Sequence, residues 1–475
     1  MKLNISVALL VAYLTSGISL AQSIDLDKKL GAENAAMVEA QYGIYQDKEK
    51  TEYIRRVGER LVSKLENPLF DYQFNIVPDK SPNAFALPGG YIYITTGLIP
   101  LLESEDELAC IMGHEIIHSN NRHTIRQLKK SILPRLLEVP GNLLGALNED
   151  LGVLFNAPIQ TSNALLFASY SRNFETESDI NGTALAAAAG YDPNAMISSL
   201  NRLSETIEVA IGQKETKNYF NDHPYTPDRV NSIQKNVEKL TWHHSEYISP
   251  DFLYEFDSLL FGDHPNKGVV VDNSFLHPDL DFTITFPEKW DIDNQPTNVG
   301  AYNQDRQAAV FVSLDNSNNT PIEAGKLFLS DLGSEYKEKL TATEEYTLNG
   351  RKGYLVSFTD KTEATTMYAY ILWIPLEDKL FKLIGLAPLE YKTKLEESAK
   401  SLRMLKKNEK NSFTINLVRV VQARQGETIE TLSARTGNRL NEELTGVINS
   451  INSDDKLGEG GQIKVVIQSP YKIDK

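Results

Sequence analysis

Cysteine is almost missing. Cys110 is the only one in 475 residues, so no disulfide can form within the chain. It stands in an apolar helical run and reads as a packing residue. An exported chain without disulfides is ordinary in a bacterial periplasm. Long apolar runs are scarce too: beyond the N-terminus no segment stays apolar for the ~20 residues a membrane-spanning helix needs. Positive charge is in deficit, with 48 Lys and Arg against 64 Asp and Glu and a net charge of −16. That balance excludes a nucleic-acid surface and favours solubility. Tandem repeats and low-complexity tracts are absent as well.

At the N-terminus, Lys2 precedes an apolar run from Ile5 to Leu14, and Ser19 and Ala21 are small residues placed for cleavage after Ala21. Residues 1–21 are expected to be a secretory signal peptide, with a retained anchor as the alternative. The expected location is the bacterial periplasm, or else secretion or N-terminal attachment to a membrane.

Three regions follow. Residues 22–262 read mostly helical: in "TEYIRRVGERLVSKL", Ile54, Val57, Leu61 and Leu65 share one face. Residues 263–405 turn β-rich and close on a helix, an α+β pattern, with Asn349-Gly350 between two strand-like runs as a hairpin signal. Residues 406–412 read as a linker, and 413–475 as a small strand–helix–helix–strand module. The expected fold class is therefore multidomain: a mainly α domain with a small β-sheet, an α+β domain and a βααβ module.

The chemistry concentrates in "ESEDELACIMGHEIIHSNNRHTIRQL", which reads as one helix opened by Ser104 with Glu107 three residues later. On it His114 and His118 lie i, i+4, about 40° apart around the axis, so two imidazoles can grip one ion while Glu115 reaches a bound water. A catalytic zinc site needs a third protein ligand. A histidine six residues past the second would serve, but Thr124 occupies that position. On a continued helix His123 points about 140° away from His118 and reads as structural or surface. The other source is a carboxylate on a later helix. In "SYSRNFETESDINGTALAAAAGYD", Glu175 can bind the ion and Asp179, one turn on, can accept the N–H of a ligand histidine. Glu177 points elsewhere and reads as solvated.

"PNAFALPGGYIYITTGLI", "GHEIIHSNNRH", "YSRNFETESD" and "DHPYTPDR" occur in this order. In that ordered set the chain resembles the HtpX-like and BepA-like gluzincin metallopeptidases, peptidase family M forty-eight, over roughly residues 25–240. The resemblance implies one zinc ion per chain on His114, His118 and Glu175, with Glu115 as catalytic base toward the zinc-bound water and Asp179 behind a ligand. It also implies that His223 approaches the zinc and can occupy its fourth site, and that Arg229 is a family arginine. The chemistry further calls for an oxyanion donor, for which His223 is the candidate and Arg229 the reserve; if His223 instead ligates the zinc, the site is latent. Ser178 stands where the family usually has alanine.

The strand Tyr91, Ile92, Tyr93, Ile94, Thr95 is expected at the sheet edge facing the cleft, where an extended substrate would add as one more strand. The apolar stretch between the zinc helices, broken by Pro134, Pro140 and Gly141, reads either as a lid or plug or as a packed helical hairpin. "FLHPDLDFTITFPEKW" resembles the start of PsbP/Mog1-like domains, and the last ~55 residues resemble a LysM module. The implied function is an exported zinc endopeptidase hydrolysing unfolded or misassembled envelope proteins. Its expected partners are polypeptides, including outer-membrane proteins, with peptidoglycan contact through the C-terminal module and peripheral membrane contact as further options. The alternative is a latent-site chaperone or cell-wall-binding protein.

Overall fold

A computed structural model describes residues 24–131, 170–211, 223, 227–361 and 365–473. Residues 1–21, read as a signal peptide, and the apolar stretch read as a lid, plug or hairpin lie outside these residues. Among the described residues, no helix is long and apolar enough to cross a membrane. The described residues divide into two compact units, one holding those up to Asp263 together with Ile415–Ser469, the other holding those of His264–Thr414 and from Pro470 on.

The first unit begins with helix α1 (24–42) and helix α2 (Lys48–Val62), which Asp47 caps by accepting from Lys50 N. Ile54, Val57 and Leu61 are buried in the unit's core, as their spacing predicts. A three-stranded sheet follows, made of β1 (Gln73–Val77), β2 (Ala84–Leu87) and β3 (Tyr91–Thr95). Its order is β1-β3-β2. This corrects the expectation for Tyr91–Thr95: β3 is central, parallel to β1 and antiparallel to β2, so both of its edges are already paired. The edge beside β3 belongs to β2, a four-residue strand that is wholly apolar and buried and so shows no alternation.

The long helix also departs from expectation. Ser104 caps α3 (Glu105–Asn120), accepting from Glu107 N at 3.2 Å. The helix then stops, Arg122 adopts φ 58°, and a separate helix α4 (His123–Ser131) begins. The side chain of Arg122 is tied to the fully buried Asp27 of α1, with Nε donating to Oδ1 at 3.0 Å and Nη2 to Oδ2 at 2.5 Å. That pair offsets the strain of a left-handed residue that is not glycine.

Helices α5 (Arg172–Ala188), α6 (Ala195–Ile211) and α7 (Pro227–Val237) complete the helical part. Helices α3 and α5 cross at two glycines. A Cβ on Gly113 would lie 2.8 Å from Gly182 O, and one on Gly182 would lie 2.7 Å from His114 N. Only glycine lets the backbones approach this closely.

The second unit carries two sheets. The four-stranded one, β14-β6-β5-β4, is built from β4 (Val269–Val271), β5 (Ser274–His277), β6 (Phe282–Thr285) and β14 (Arg403–Met404). The seven-stranded one, β10-β11-β12-β13-β9-β8-β7, is built from β7 (Asp291–Gln295), β8 (Asn298–Tyr302), β9 (Ala309–Leu314), β10 (Leu340–Leu348), β11 (Arg351–Lys361), β12 (Thr366–Leu376) and β13 (Lys379–Pro388). Asn349 and Gly350 take φ 51° and 77° between paired Leu348 and Arg351, the two-residue turn their sequence predicts. Helices α8 (Pro321–Asp331) and α9 (Lys392–Ser401) cover the sheets. The stretch read as a linker holds one helical turn, Lys407–Lys410.

The C-terminal segment is β15 (Thr414–Gln422), α10 (Ile429–Thr436), α11 (Glu442–Ile448) and β16 (Gln462–Pro470), with β15 paired to β16. Val418 and Ile448 join the hydrophobic core of the first unit. The buried Lys464 donates from Nζ to Leu102 O at 2.9 Å. Arg202 on α6 bonds Ser450 Oγ at 3.0 Å, Glu103 at 2.5 Å and the buried Glu107 at 2.6 Å. The module is thus fixed to the turn that launches α3.

Candidate metal centre

The glycine crossing of α3 and α5 brings two parts of the chain, some sixty residues apart, to one point. His118 Nε2 stands 2.9 Å from His114 Nε2 and 3.3 Å from Glu175 Oε1. Glu175 Oε2 is 3.6 Å from His114 Nε2. His223 adds Nδ1, 3.2 Å from His114 Nε2 and 3.1 Å from Glu175 Oε1. All four residues are buried, and one donor atom from each lies within 4.8 Å of every other. Four donors set tetrahedrally at ~2.0–2.1 Å from zinc would be ~3.3 Å apart. The spacings fall around that value, and the chemistry, three imidazoles and a carboxylate, is a zinc set.

Burial pushes His118 well below the ordinary histidine value and lowers His114 as well, so both present unprotonated nitrogens. Burial alone would raise the Glu175 carboxyl. The charges and hydrogen bonds of His223, His118 and His114 outweigh it and hold that group well below the usual carboxylate range. For His223, burial is outweighed by the Glu175 and Glu115 carboxylates, which lift it to about 9.

Glu115 is fully buried, with Oε1 3.5 Å from His223 Nε2. Asp179 Oδ1 lies 3.0 Å from His114 Nδ1, the nitrogen turned away from the donor cluster. Arg229 does not reach the cleft as a free donor. Its guanidinium clamps Asp179 at 2.8 Å through Nε and Nη2, while Nη1 donates to His223 O at 3.0 Å and lies 3.1 Å from Glu175 Oε2. Buried and committed to three partners, it is a positioning residue, which corrects its expected place as an oxyanion donor.

Two neighbours of His118 escaped the sequence. Tyr170 stacks on its ring, centroids 3.9 Å apart, and its hydroxyl meets Thr124 Oγ1 at 2.8 Å. His123, expected to point away, is fully buried with Nδ1 3.1 Å from His118 Nδ1. The break at Arg122 turns it back, and Asn120-Asn121, poor helix formers, were the available signal. Glu177 is not simply solvated: it accepts from Asn121 Nδ2 at 2.8 Å and reaches His123 Nε2 at 3.4 Å.

Residues 48–237 match the model of Peptidase family M48. The chain is 29% identical over 226 residues to a "Putative beta-barrel assembly-enhancing protease" of Vibrio cholerae serotype O1, covering 46% of this chain and 45% of the relative. It is 28% identical over 221 residues to the "Mitochondrial metalloendopeptidase OMA1" of Schizosaccharomyces pombe, covering 45% of this chain and 61% of the relative. The chain thus spans about half the length of the curated relatives it matches. A solution structure of cyanobacterial PsbP from Synechocystis aligns with 29% of this chain and 95% of its own at 13% identity, with a TM-score of 0.23. Residues 48–237 are thus similar to a peptidase family, to a bacterial protease and to a mitochondrial metalloendopeptidase.

Proposed function

We propose that the chain is a zinc-dependent endopeptidase, exported to the bacterial envelope, that cleaves unfolded or misassembled envelope proteins. The observation that carries this reading is the convergence of His114, His118 and Glu175 around one point with Glu115 buried beside it. Zinc held there would supply Lewis acidity toward a water molecule and a peptide carbonyl. Glu115 takes the proton from the attacking water and passes it to the departing amine. Asp179 holds the proton on His114 Nδ1 and leaves Nε2 to bind, and Arg229 fixes Asp179, Glu175 and the backbone at His223 together.

The substrate strand is reassigned from Tyr91–Thr95 to β2. It is an edge strand, and its Leu87 carbonyl accepts from Ser119 Oγ of the metal helix at 3.3 Å. An extended chain added there would be held mainly through its backbone, which suits substrates without a fixed side-chain pattern. Similarity to a Vibrio cholerae protease that enhances β-barrel assembly supports β-barrel proteins as the substrate class.

A second reading of His223 is favoured by its place in the donor set: it is a fourth ligand, and the site is latent until it swings out. The burial of Val418, Ile448 and Lys464 favours a packing role for the C-terminal module over cell-wall tethering. The test is digestion of casein and of an unfolded outer-membrane β-barrel by the purified chain, with and without a zinc chelator, beside E115Q. Chelator-sensitive cleavage lost in E115Q supports the reading. Equal cleavage by both proteins would leave it without a basis.

A further inference from the structure

The geometry points to His123 as the positioning residue of His118: its ring accepts the proton of His118 Nδ1 and so commits Nε2 to the metal. This rests on the reading that His114, His118 and Glu175 hold the ion. His118 turns Nε2 toward the other donors and Nδ1 toward His123 Nδ1, 3.1 Å away. Two ring nitrogens at that distance share one proton between them. With Nε2 facing a cation, the proton belongs on His118 Nδ1, and His123 Nδ1 must offer its lone pair. The His123 proton then sits on Nε2, 3.4 Å from Glu177 Oε2.

The surroundings hold this arrangement from every side. His123 lies flat on Phe174, centroids 4.4 Å apart and planes 14° apart. Ser178 Oγ stands 3.3 Å from the same Nδ1. Glu177 is braced by Asn121 and faces Arg126 at 3.4 Å. The left-handed turn at Arg122, fixed by Asp27, aims the ring. The two ligand histidines are therefore oriented by different means: His114 by a carboxylate, His118 by a second imidazole with a carboxylate behind it. In both, the group behind the ligand fixes its tautomer.

The test measures Zn2+ affinity of the full chain by competition with a chromophoric chelator, and the visible spectrum of the Co2+-loaded protein. H123F keeps the flat ring on Phe174 and removes the acceptor; H123Q keeps an acceptor and loses the ring. The expected result is a loss of ~10–100-fold in Zn2+ affinity for H123F, an altered Co2+ spectrum, and tighter binding by H123Q than by H123F. A residue that only fills space would rank the two variants the other way. H123F binding Zn2+ as tightly as the parent, or as tightly as H123Q, overturns the inference. Should either variant fail to fold, E177A at the half-exposed end of the chain decides: weakened Zn2+ binding supports the relay, and unchanged binding overturns it. A parent chain that binds no Zn2+ would defeat the reading of the site itself rather than this step.

Discussion

Replacing Gly182 with alanine tests whether the helix crossing builds the metal centre. A Cβ at this position meets His114 N at 2.7 Å, His114 Cα at 2.8 Å and Gly113 C at 2.9 Å. All three are backbone atoms of α3, so no side chain can swing aside. Ordinary contact is ~3.5–4.0 Å, so the helices must part by about 1 Å. Such overpacking costs about 1–3 kcal/mol. Alanine in place of glycine inside a helix returns about 1 kcal/mol, which leaves a modest net loss of stability. The metal centre should suffer more, because Asp179 lies one turn and Glu175 two turns from the contact. A 1 Å misplacement of reacting groups can cost ~10²-fold in rate, and a ligand moved that far should also loosen the grip on the ion. Urea unfolding of the metal-free chain and chelator competition for Zn2+ measure the two effects separately. A G182A chain at least as stable as the parent, with unchanged Zn2+ affinity, would refute the argument that this crossing sets the site.

E115Q should keep Zn2+ binding and lose proteolysis by at least ~10²-fold, since only the proton acceptor is removed; matched turnover and metal assays check this. R202A strips the guanidinium from buried Glu107 and from Glu103 and Ser450, so unfolding experiments should show a loss of about 3–5 kcal/mol in the first unit. In the second unit, burial pushes His277 down to about 4, so below pH ~6.5 the unfolded chain takes up a proton that the folded chain refuses. Stability should therefore fall with pH between about 6.5 and 4, by up to about 3 kcal/mol, and H277Q should flatten that slope when unfolding is followed by Trp290 and Trp373 fluorescence.

Much of this was legible in the sequence because it is local. The i, i+4 pair His114 and His118, the Ser104 cap and the Asn349-Gly350 turn each follow from spacing and backbone preference. Glu175 and Asp179 were singled out because the site needs a third ligand and one helix offers two carboxylates on one face; the fold brings both beside His114. Sheet order was not legible: β2 is four residues long, and nothing in "AFAL" says that it, rather than "YIYIT", lies outermost. The place of His123 was hidden for a different reason. One residue, Arg122, leaves the helical region because a distant aspartate holds it there, and helical periodicity carries no sign of such a partner. Arg229 was misplaced likewise, since its three acceptors come together only on folding.

The proposed hydrolysis depends on a single ion gripped at two Nε2 nitrogens and one carboxylate. Anomalous diffraction at the zinc edge from crystals of the Zn2+-loaded chain locates that ion directly. One peak is expected, within bonding distance of Nε2 of His114, Nε2 of His118 and a Glu175 oxygen. A peak elsewhere, or coordination through the Nδ1 atoms of His114 or His118, would contradict it.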